Sequence, residues 1–268
     1  MHTSVAIIVA MESERRHLDI LMPGWEQVES TVWRTLRNDD VVCIVSGIGM
    51  VAAAAATEHA ISTYNPTMVL NFGCAGAHTR DLYPGDVVIG DRLVHHGRMR
   101  FAADGTMVPL EFGFTVPGEI DPVFLLESNH ELAELAMQLT DDVPLPVWPK
   151  ELRVIGQPHR HPEVRLGTIS SGDIWLQEPG FIDAGHDRTG SLCEDMEAAG
   201  IAQVCALHGL PFLSVKDISN SEFHMATTFE GSSSTLPTKE VGLRSATIVS
   251  ELIALLRRMG RLDNRRYS

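Results

Sequence analysis

The amino-acid sequence predicts a single α/β domain with a central mixed, largely parallel β-sheet flanked by helices. The first observation is a series of short apolar runs, rich in β-branched residues and bounded by turn residues, which is typical of strands buried on both faces. The second is that longer, helix-like segments separate these runs along the chain. The third is the length of 268 residues, which is enough for one large hydrophobic core.

Each element is predicted from its local pattern. The continuous apolar runs predict strands at Ser4–Val9, Val41–Val45, Thr67–Asn71, Val87–Ile89, Val164–Ser170 and Pro211–Val215. The segments between them predict helices at Glu12–Leu21, Val51–Thr63, Asn129–Leu139, Glu197–His208 and Lys239–Arg258. Ligands bind such sheets at the carboxyl ends of the strands, so the loops that follow the strands are the expected site.

Two segments interrupt the alternation and are interpreted as insertions in one domain that spans residues 1–268. Residues 141–162 contain five prolines, which indicates an irregular excursion. Residues 227–238 contain a Gly-Ser-Ser-Ser run, which is typical of a mobile loop. We find no internal repeat and no composition change that would mark a domain boundary.

Composition and charge exclude several classes of protein. A formal net charge of −14 argues against binding to nucleic acid or to an anionic membrane surface. The four cysteines are far apart and form no C-x-x-C pair, so neither disulfides nor a zinc site is expected. No run is long enough to span a membrane, and the first apolar run lacks a basic leader, so we expect a cytoplasmic protein.

An acidic string is the most informative local feature. Glu194, Asp195 and Glu197 stand within the sequence Glu-Asp-Met-Glu-Ala-Ala-Gly, directly before an apolar helix-forming run. Acidic side chains suit the first turn of a helix, where free N–H groups favour negative charge. Three carboxylates are more than the capping of one helix requires. A carboxylate at such a junction can also accept hydrogen bonds from two neighbouring hydroxyls, as on a ribose.

Five further segments accompany this string: Ala-Met-Glu-Ser-Glu at 10–14, Ser-Gly-Ile-Gly-Met-Val-Ala at 46–52, Asn-Phe-Gly-Cys-Ala-Gly-Ala at 71–77, Gly-Asp-Val-Val-Ile at 85–89 and Ser-Gly-Asp-Ile-Trp at 171–175. In this order they resemble the motifs of the purine nucleoside phosphorylase and 5′-methylthioadenosine/S-adenosylhomocysteine nucleosidase superfamily, from about residue 5 to about residue 255. The nucleosidase branch is the nearer match. The resemblance implies a nucleoside phosphorylase-like fold and a purine nucleoside as substrate.

The resemblance implies roles for residues around the sugar. Glu14 occupies the position of the glutamate that holds and deprotonates the attacking water. A carboxylate suits that role because cleavage builds positive charge on the sugar, which a nearby anion stabilises. Met196 and Glu197 would cover the ribose and bind its hydroxyls, while Asp195 is expected at the same site as a capping or supporting group. Met11 and Ile48 would border the sugar pocket.

The resemblance also implies a base pocket. Trp175, with Ile174 and Leu176, would give the purine a flat apolar wall. The strand-end segment Cys74, Ala75 and Gly76 would line the same cavity, with no nucleophilic role for the thiol.

One position departs from the family pattern. After the strand Pro211–Val215 the nucleosidases carry Ser-Asp, whose aspartate protonates purine N7, whereas this chain has Ser219-Asn220. An amide has no titratable proton near neutral pH, so Asn220 cannot be a general acid, although it can donate a hydrogen bond to N7 and to a 6-oxo group. Asp217, upstream on the same strand, is an alternative acid if the register shifts.

Several functions therefore stay open. A purine nucleosidase is the leading hypothesis; a 6-oxopurine nucleoside phosphorylase or hydrolase, or a nucleoside-binding relative with weak catalysis, are the alternatives. The Gly47-Ile48-Gly49 loop fits part of a dinucleotide pattern, but no carboxylate follows at the end of the next strand. The loop also offers no cation for phosphate, which favours water as the co-substrate. We expect no cofactor, no metal, and a homodimer, as is usual in the resembling nucleosidases.

Overall fold

The computed structural model describes residues 3–29, 32–104, 106–110, 117, 125–224 and 237–262. Its strands are β1 (Val5–Val9), β2 (Glu26–Val28), β3 (Arg34–Asn38), β4 (Val41–Val45), β5 (Met68–Ala77), β6 (Val87–His95), β7 (Met99–Phe101), β8 (Met107–Pro109), β9 (Leu126–Glu127), β10 (Val164–Ser171), β11 (Ser191–Asp195) and β12 (Phe212–Asn220). Its helices are α1 (Glu12–Arg15), α2 (His17–Leu21), α3 (Met50–Tyr64), α4 (His130–Asp142), α5 (Pro179–Thr189), α6 (Ala198–His208) and α7 (Leu243–Arg258), with a 3₁₀ turn at Lys150–Leu152.

One mixed sheet organises the described part of the chain. Its order is β11-β10-β6-β12-β5-β1-β4-β3-β2, with β9 added beside β6. The pairs of β5 with β1 and β12, of β1 with β4, and of β10 with β6 and β11 are parallel. Strand β11 also pairs antiparallel with β5, so β11, β10, β6, β12 and β5 close into a ring. The expected mixed, largely parallel sheet is confirmed.

Helices cover both faces of the sheet because alternate residues of its central strands point to opposite sides. In β1, Val5, Ile7 and Val9 pack into a core with residues of α2, α4 and α7. Ala6 and Ile8 pack into a second core with residues of α3 and α6. All five residues of β1 are buried, which explains the continuous apolar run in the sequence.

Several element boundaries differ from the sequence-based expectation. Strands β5, β6 and β12 extend six, six and five residues beyond the predicted ends, to Ala77, His95 and Asn220. These extensions mix apolar residues that pack into the two cores, such as Phe72, Leu93 and Ile218, with glycine and polar residues that interrupt the apolar pattern of the sequence. Strands β2, β3, β7, β8, β9 and β11 and helix α5 were not predicted, since none has a long apolar run.

Two helices also differ from their predicted ranges. The helix expected over Glu12–Leu21 is divided at Arg16. The last helix begins at Leu243 because Gly242 adopts a left-handed conformation with φ of 81°.

The two predicted insertions have different outcomes. Of the predicted insertion at residues 141–162, residues 141 and 142 end α4 and the rest is irregular apart from the 3₁₀ turn; Trp148 is buried there against Arg244. Most of the predicted loop at 227–238 lies outside the described residues. Among the helices that are described, none is both long and apolar enough to cross a membrane.

Candidate active site

A cavity of about 140 Å³ opens where strands β1, β5, β11 and β12 end and where the loops after β4 and β10 meet them. Its lining consists of Ala10, Met11, Glu14, Ile48, Cys74, Ala75, Gly76, Ile174, Trp175, Glu194, Asp195, Met196, Glu197, Ser219 and Asn220. Every residue expected at the site belongs to this lining except Leu176. The side chain of Leu176 is buried outside the cavity lining, while its backbone supports the wall from behind.

Glu14 is the most enclosed carboxylate of the cavity, with 2% of its surface exposed. Its Oε2 accepts a hydrogen bond from the Met11 amide at 3.1 Å, and its Oε1 accepts one from the Cys74 amide at 2.9 Å. A side chain at position 73 would not fit, because a Cβ on Gly73 would lie 2.7 Å from Glu14 Oε1. Burial raises the pKa of Glu14, and the charge of Lys216 opposes the rise.

Glu197 stands across the cavity, at the start of α6. Its Oε1 accepts a hydrogen bond from the Gly49 amide at 2.9 Å, which ties the acidic string to the glycine loop after β4. Burial and the neighbouring Asp195 carboxylate raise the pKa of Glu197 to about 7, against the effect of Lys216. Its surroundings therefore make Glu197 a weaker acid than a solvated glutamate.

Asp195 and Lys216 form a buried ion pair beneath the cavity, with 2.8 Å between Asp195 Oδ2 and the lysine Nζ. Asp195 also accepts hydrogen bonds from the Ser171 hydroxyl and the Ala198 amide. Asp195 thus caps α6 and anchors the lysine, and any contact of its carboxylate with a sugar stays a prediction. Lys216 was not predicted from the sequence, because there it directly follows the predicted strand Pro211–Val215 and precedes Asp217, as a surface cation would.

Asn220 lies at the end of β12 with 8% of its surface exposed. Its Oδ1 accepts a hydrogen bond from the Ser219 hydroxyl at 2.8 Å, and its Nδ2 donates to Glu222 Oε1 at 3.2 Å. Both ends of the amide are therefore held by protein partners, and one N–H of the Nδ2 group is left to donate to a ligand.

The alternative that Asp217 replaces the missing acid is wrong, because Asp217 does not line the cavity. Asp217 is fully buried on the other side of Glu14, where it accepts hydrogen bonds from the amides of Gly242 and Arg244 at 2.8 and 3.1 Å. These contacts hold the start of α7. Burial raises the pKa of Asp217 to about 7, although Arg244 counteracts the shift.

The apolar wall of the cavity is held by polar contacts behind it. The Asp173 carboxylate accepts a hydrogen bond from the Met50 amide at 2.8 Å, which joins the loop carrying Ile174 and Trp175 to the start of α3. The Leu176 amide donates to Glu194 Oε1 at 3.0 Å. On the opposite wall, burial raises the pKa of the Cys74 thiol well above its usual value, which favours the uncharged thiol.

Glu194 also faces two buried histidines. Its Oε2 lies 3.3 Å from His78 Nε2 and 3.5 Å from His96 Nε2. None of these three atoms has a hydrogen-bond partner of good geometry. Burial lowers the pKa of His96 to about 4. Within the described ranges no three histidine, cysteine or carboxylate side chains are arranged to hold a metal ion.

Comparison with known proteins identifies the relatives of this chain. The family model described as "Phosphorylase superfamily" matches residues 4–254. A 5′-methylthioadenosine/S-adenosylhomocysteine nucleosidase of Oceanobacillus iheyensis is 32% identical over 222 residues, which cover 81% of this chain and 86% of that protein.

Two solved structures extend the comparison to the fold. The Neisseria meningitidis nucleosidase of the same name, in complex with methylthio-immucillin-A, is 26% identical, with a TM-score of 0.72 over 95% of this chain and 100% of that one. The futalosine hydrolase of Helicobacter pylori, 20% identical, shares the fold with a TM-score of 0.68 over 96% of this chain and 98% of that one.

Proposed function

Since the chain belongs to the phosphorylase superfamily, we propose that it is a purine nucleosidase, an N-glycosyl hydrolase that cleaves the N-ribosyl bond of a purine nucleoside with or without a 5′ modification. The observation that carries the proposal is the placement of Glu14 and Glu197 in one cavity that also holds Trp175 and Asn220. This arrangement gives separate groups for the sugar, the attacking water and the base.

The sugar and the nucleophile are assigned to the acidic side of the cavity. Ionised Glu197 accepts hydrogen bonds from the ribose hydroxyls, and Met196 packs on the sugar. Glu14 orients a water molecule and takes its proton as the water adds to the anomeric carbon. The positive charge that develops on the sugar in the transition state is stabilised by these carboxylates in a site of low dielectric constant.

The departing base is assigned to the other side. Trp175 and Ile174 offer it an apolar face, while the Asn220 NH₂ group donates a hydrogen bond to purine N7 and so stabilises the negative charge left on the base. Because the amide cannot transfer a proton, departure of the base depends on this hydrogen bond rather than on a side-chain acid.

Water rather than phosphate is the proposed co-substrate. None of the described residues that line the cavity is an arginine or a lysine. Lys216, which lies beneath it, is 1% exposed and already paired with Asp195. A phosphate dianion would therefore meet carboxylates without a free cation, which is electrostatically unfavourable.

A panel of purine nucleosides, assayed for free base and reducing sugar with and without phosphate, tests the proposal. We expect phosphate-independent release of base by the native protein. We expect a loss of about 100-fold or more in kcat for Glu14→Gln, the usual scale for removing a general base. The matched control is Glu151→Gln, an exposed carboxylate far from the cavity lining. Strict phosphate dependence would instead assign the protein to the phosphorylases.

A nucleoside-binding protein with weak catalysis is the second candidate, and Asn220 is the observation that favours it. Calorimetry separates the two candidates. Tight binding of nucleoside without turnover, even at high protein concentration, would support the binding protein and contradict the nucleosidase.

We also propose a homodimer that acts in the cytoplasm. Ile48 and Val51, at the rim of the cavity and the start of α3, are apolar yet 54% and 80% exposed. A second copy packed on this rim would bury them and would restrict access of bulk water to the sugar pocket. The four cysteines are free thiols, as is usual for proteins of a reducing compartment.

A further inference from the structure

A buried charged pair, Asp217 and Arg244, has no part in the chemistry proposed above. Both side chains are 0% exposed, and neither lines the cavity. Nη1 of the arginine lies 3.6 Å from Asp217 Oδ2. An arginine cannot lose its proton, so a fully buried guanidinium has to be paired and hydrogen-bonded. The groups that meet this guanidinium therefore show which parts of the chain the pair joins.

The proline-rich excursion, residues 143–162, encloses the guanidinium of Arg244. The arginine Nε donates to the Pro146 carbonyl at 2.8 Å, and its Cζ lies 4.9 Å from the ring centroid of Trp148. Nη1 and Nη2 donate to the carbonyl and the carboxylate of Glu240 at 3.0 and 2.9 Å. The excursion thus supplies a carbonyl and an aromatic face to a buried cation.

Asp217 connects the pair to the start of α7 and, through it, to Glu14. Its Oδ1 and Oδ2 accept hydrogen bonds from the backbone amides of Gly242 and Arg244. A Cβ on Gly242 would lie 3.1 to 3.6 Å from three carbon atoms of Glu14, so the start of α7 is in contact with this glutamate. Burial is the main cause of the raised pKa of Asp217, and the nearby Glu14 charge adds to the rise.

A second contact runs from α7 to strand β5 beside Glu14. The Ser245 hydroxyl lies 3.1 Å from each of the carbonyls of Gly73 and Gly242. A Cβ on Gly73 would lie 2.7 Å from Glu14 Oε1, and the next amide, that of Cys74, donates to the same oxygen. The first turn of α7 therefore touches Glu14 directly and also fixes the strand that orients its carboxylate.

We propose that Asp217 and Arg244 are positioning residues for Glu14, the proposed general base, and that the proline-rich excursion holds them in place. This inference rests on the proposed function and extends it to residues outside the cavity. A general base has to stay within hydrogen-bond reach of its water, and a displacement of about 1 Å can cost about 100-fold in rate. Apolar residues often replace a buried ion pair without loss of stability, so the geometry that the pair fixes explains its presence better than stability does.

Asp217→Asn tests the assignment on the nucleoside that the native enzyme cleaves fastest. We expect kcat to fall by about 10- to 100-fold with KM nearly unchanged, because Glu14 acts on water and not on the binding of the nucleoside. Arg160→Gln is the matched control, because Arg160 belongs to the same excursion but its hydrogen bonds go to Asp86 and to the His161 carbonyl. The control should keep the native kcat. A native kcat for Asp217→Asn would overturn the inference.

A double-mutant cycle separates positioning from a general loss of structure. In the Glu14→Gln background no base is left to position, so adding Asp217→Asn should change kcat by less than about 2-fold. A merely structural role for Asp217 would multiply the two losses, and that result would contradict the inference.

Two variants of Trp148 keep the inference testable if Asp217→Asn does not fold, since they leave both charges in place. Trp148→Phe keeps an aromatic face for the Arg244 guanidinium, and Trp148→Ala removes it. We expect kcat to stay within about 2-fold of native for Trp148→Phe and to fall by about 10-fold for Trp148→Ala. Thermal unfolding shows whether both are folded. Equal kcat values for the two variants would count against the excursion as a holder of the pair.

The outcomes distinguish failure of this inference from failure of the proposed function. Hydrolysis at one kcat by the native protein, Asp217→Asn and Trp148→Ala would leave a purine nucleosidase and contradict the positioning role. Absence of hydrolysis of every nucleoside by the native protein would contradict both.

Discussion

A lysine buried among carboxylates explains how the cavity tolerates its acidic lining. Glu14, Asp195 and Glu197 would repel one another in a site that excludes water, and ionisation of all three would be costly. Burial lowers the pKa of Lys216, but the three carboxylates raise it by more than burial lowers it. Lys216 therefore stays a cation. One fixed positive charge therefore lowers the cost of ionising the carboxylates that the proposed reaction needs.

The pH dependence of catalysis follows from these carboxylates. The pKa of Glu197 is about 7, and burial raises that of Glu14 as well. In the proposed mechanism both are ionised: Glu197 accepts hydrogen bonds from the ribose hydroxyls, and Glu14 takes a proton from water. We therefore expect kcat/KM to fall as the pH decreases through about 7, because protonation of Glu197 removes the ionised form. The pH profile of the native enzyme measures this, and a profile that stays flat to pH 5 would contradict the assignments of both groups.

Asn220 gives a prediction about the base. We expect Asn220→Asp to raise kcat/KM for adenosine by about 10-fold or more and to lower it for inosine, since the carboxyl group can protonate N7 and accept from a 6-amino group. Rates on both nucleosides measure the change. The exchange is isosteric, and the Ser219 hydroxyl can still donate to the new side chain. Because the Asn220 NH₂ group donates to Glu222, the new carboxyl group would lie against the Glu222 carboxylate, which favours its protonated form. A variant that is slower on both substrates would contradict the role assigned to position 220 in the choice of base.

At the scale of the elements, the start of α7 packs against Glu14, the proposed general base. Gly242 precedes the helix with φ of 81°, and a Cβ there would lie 3.1 Å from Glu14 Cγ. Its amide is bonded to Asp217, which fixes the helix to β12. Any other residue at position 242 would therefore strain the backbone and would place its Cβ close to Glu14.

We expect Gly242→Ala to reduce the free energy of unfolding by about 1–3 kcal/mol and to lower kcat by displacing Glu14. Gly260→Ala is the control, because Gly260 also has a positive φ of 66° but nothing within 4 Å of its Cβ position. That variant should lose stability without losing activity. Denaturant unfolding and kcat measure the two effects, and equal kcat values for both variants would contradict the proposed contact.

The strands and helices also differ in how well the sequence predicts them. Buried strands such as β1 and β4 were predicted almost to the residue, because their apolar runs reflect burial on both faces. The acidic string was interpreted as a helix start, yet Glu194 and Asp195 end a strand and α6 begins at Ala198. Local pattern could not find β11, since five residues with two carboxylates resemble a loop.

At the scale of the whole molecule, the site is assembled from residues 10 to 220, far apart in sequence. The ordered motifs allowed nearly all of its lining to be predicted through resemblance to a family. The roles of Lys216, His78 and His96 could not be predicted, because a buried cation or imidazole is recognised only by its partners in space.

The proposed homodimer is also tested at this scale. We expect sedimentation at micromolar concentration to give a dimer, and Val51→Glu to give a monomer because it places a charge on the exposed apolar rim. Leu207→Glu is the control, since Leu207 is also exposed and apolar, 49% exposed, but lies at the far end of α6. A monomer for the native protein would contradict an obligate dimer.

The closed ring of strands has a consequence for how the enzyme is made. Strand β11 joins β5 through the pairs Cys193 with Ala77 and Glu194 with Gly76, which are distant in the sequence. Such non-local pairings form slowly, because the chain between them must be ordered before the contact is gained. We therefore expect a growing chain on the ribosome to have no nucleosidase activity until β11 and β12 have emerged and the ring has closed.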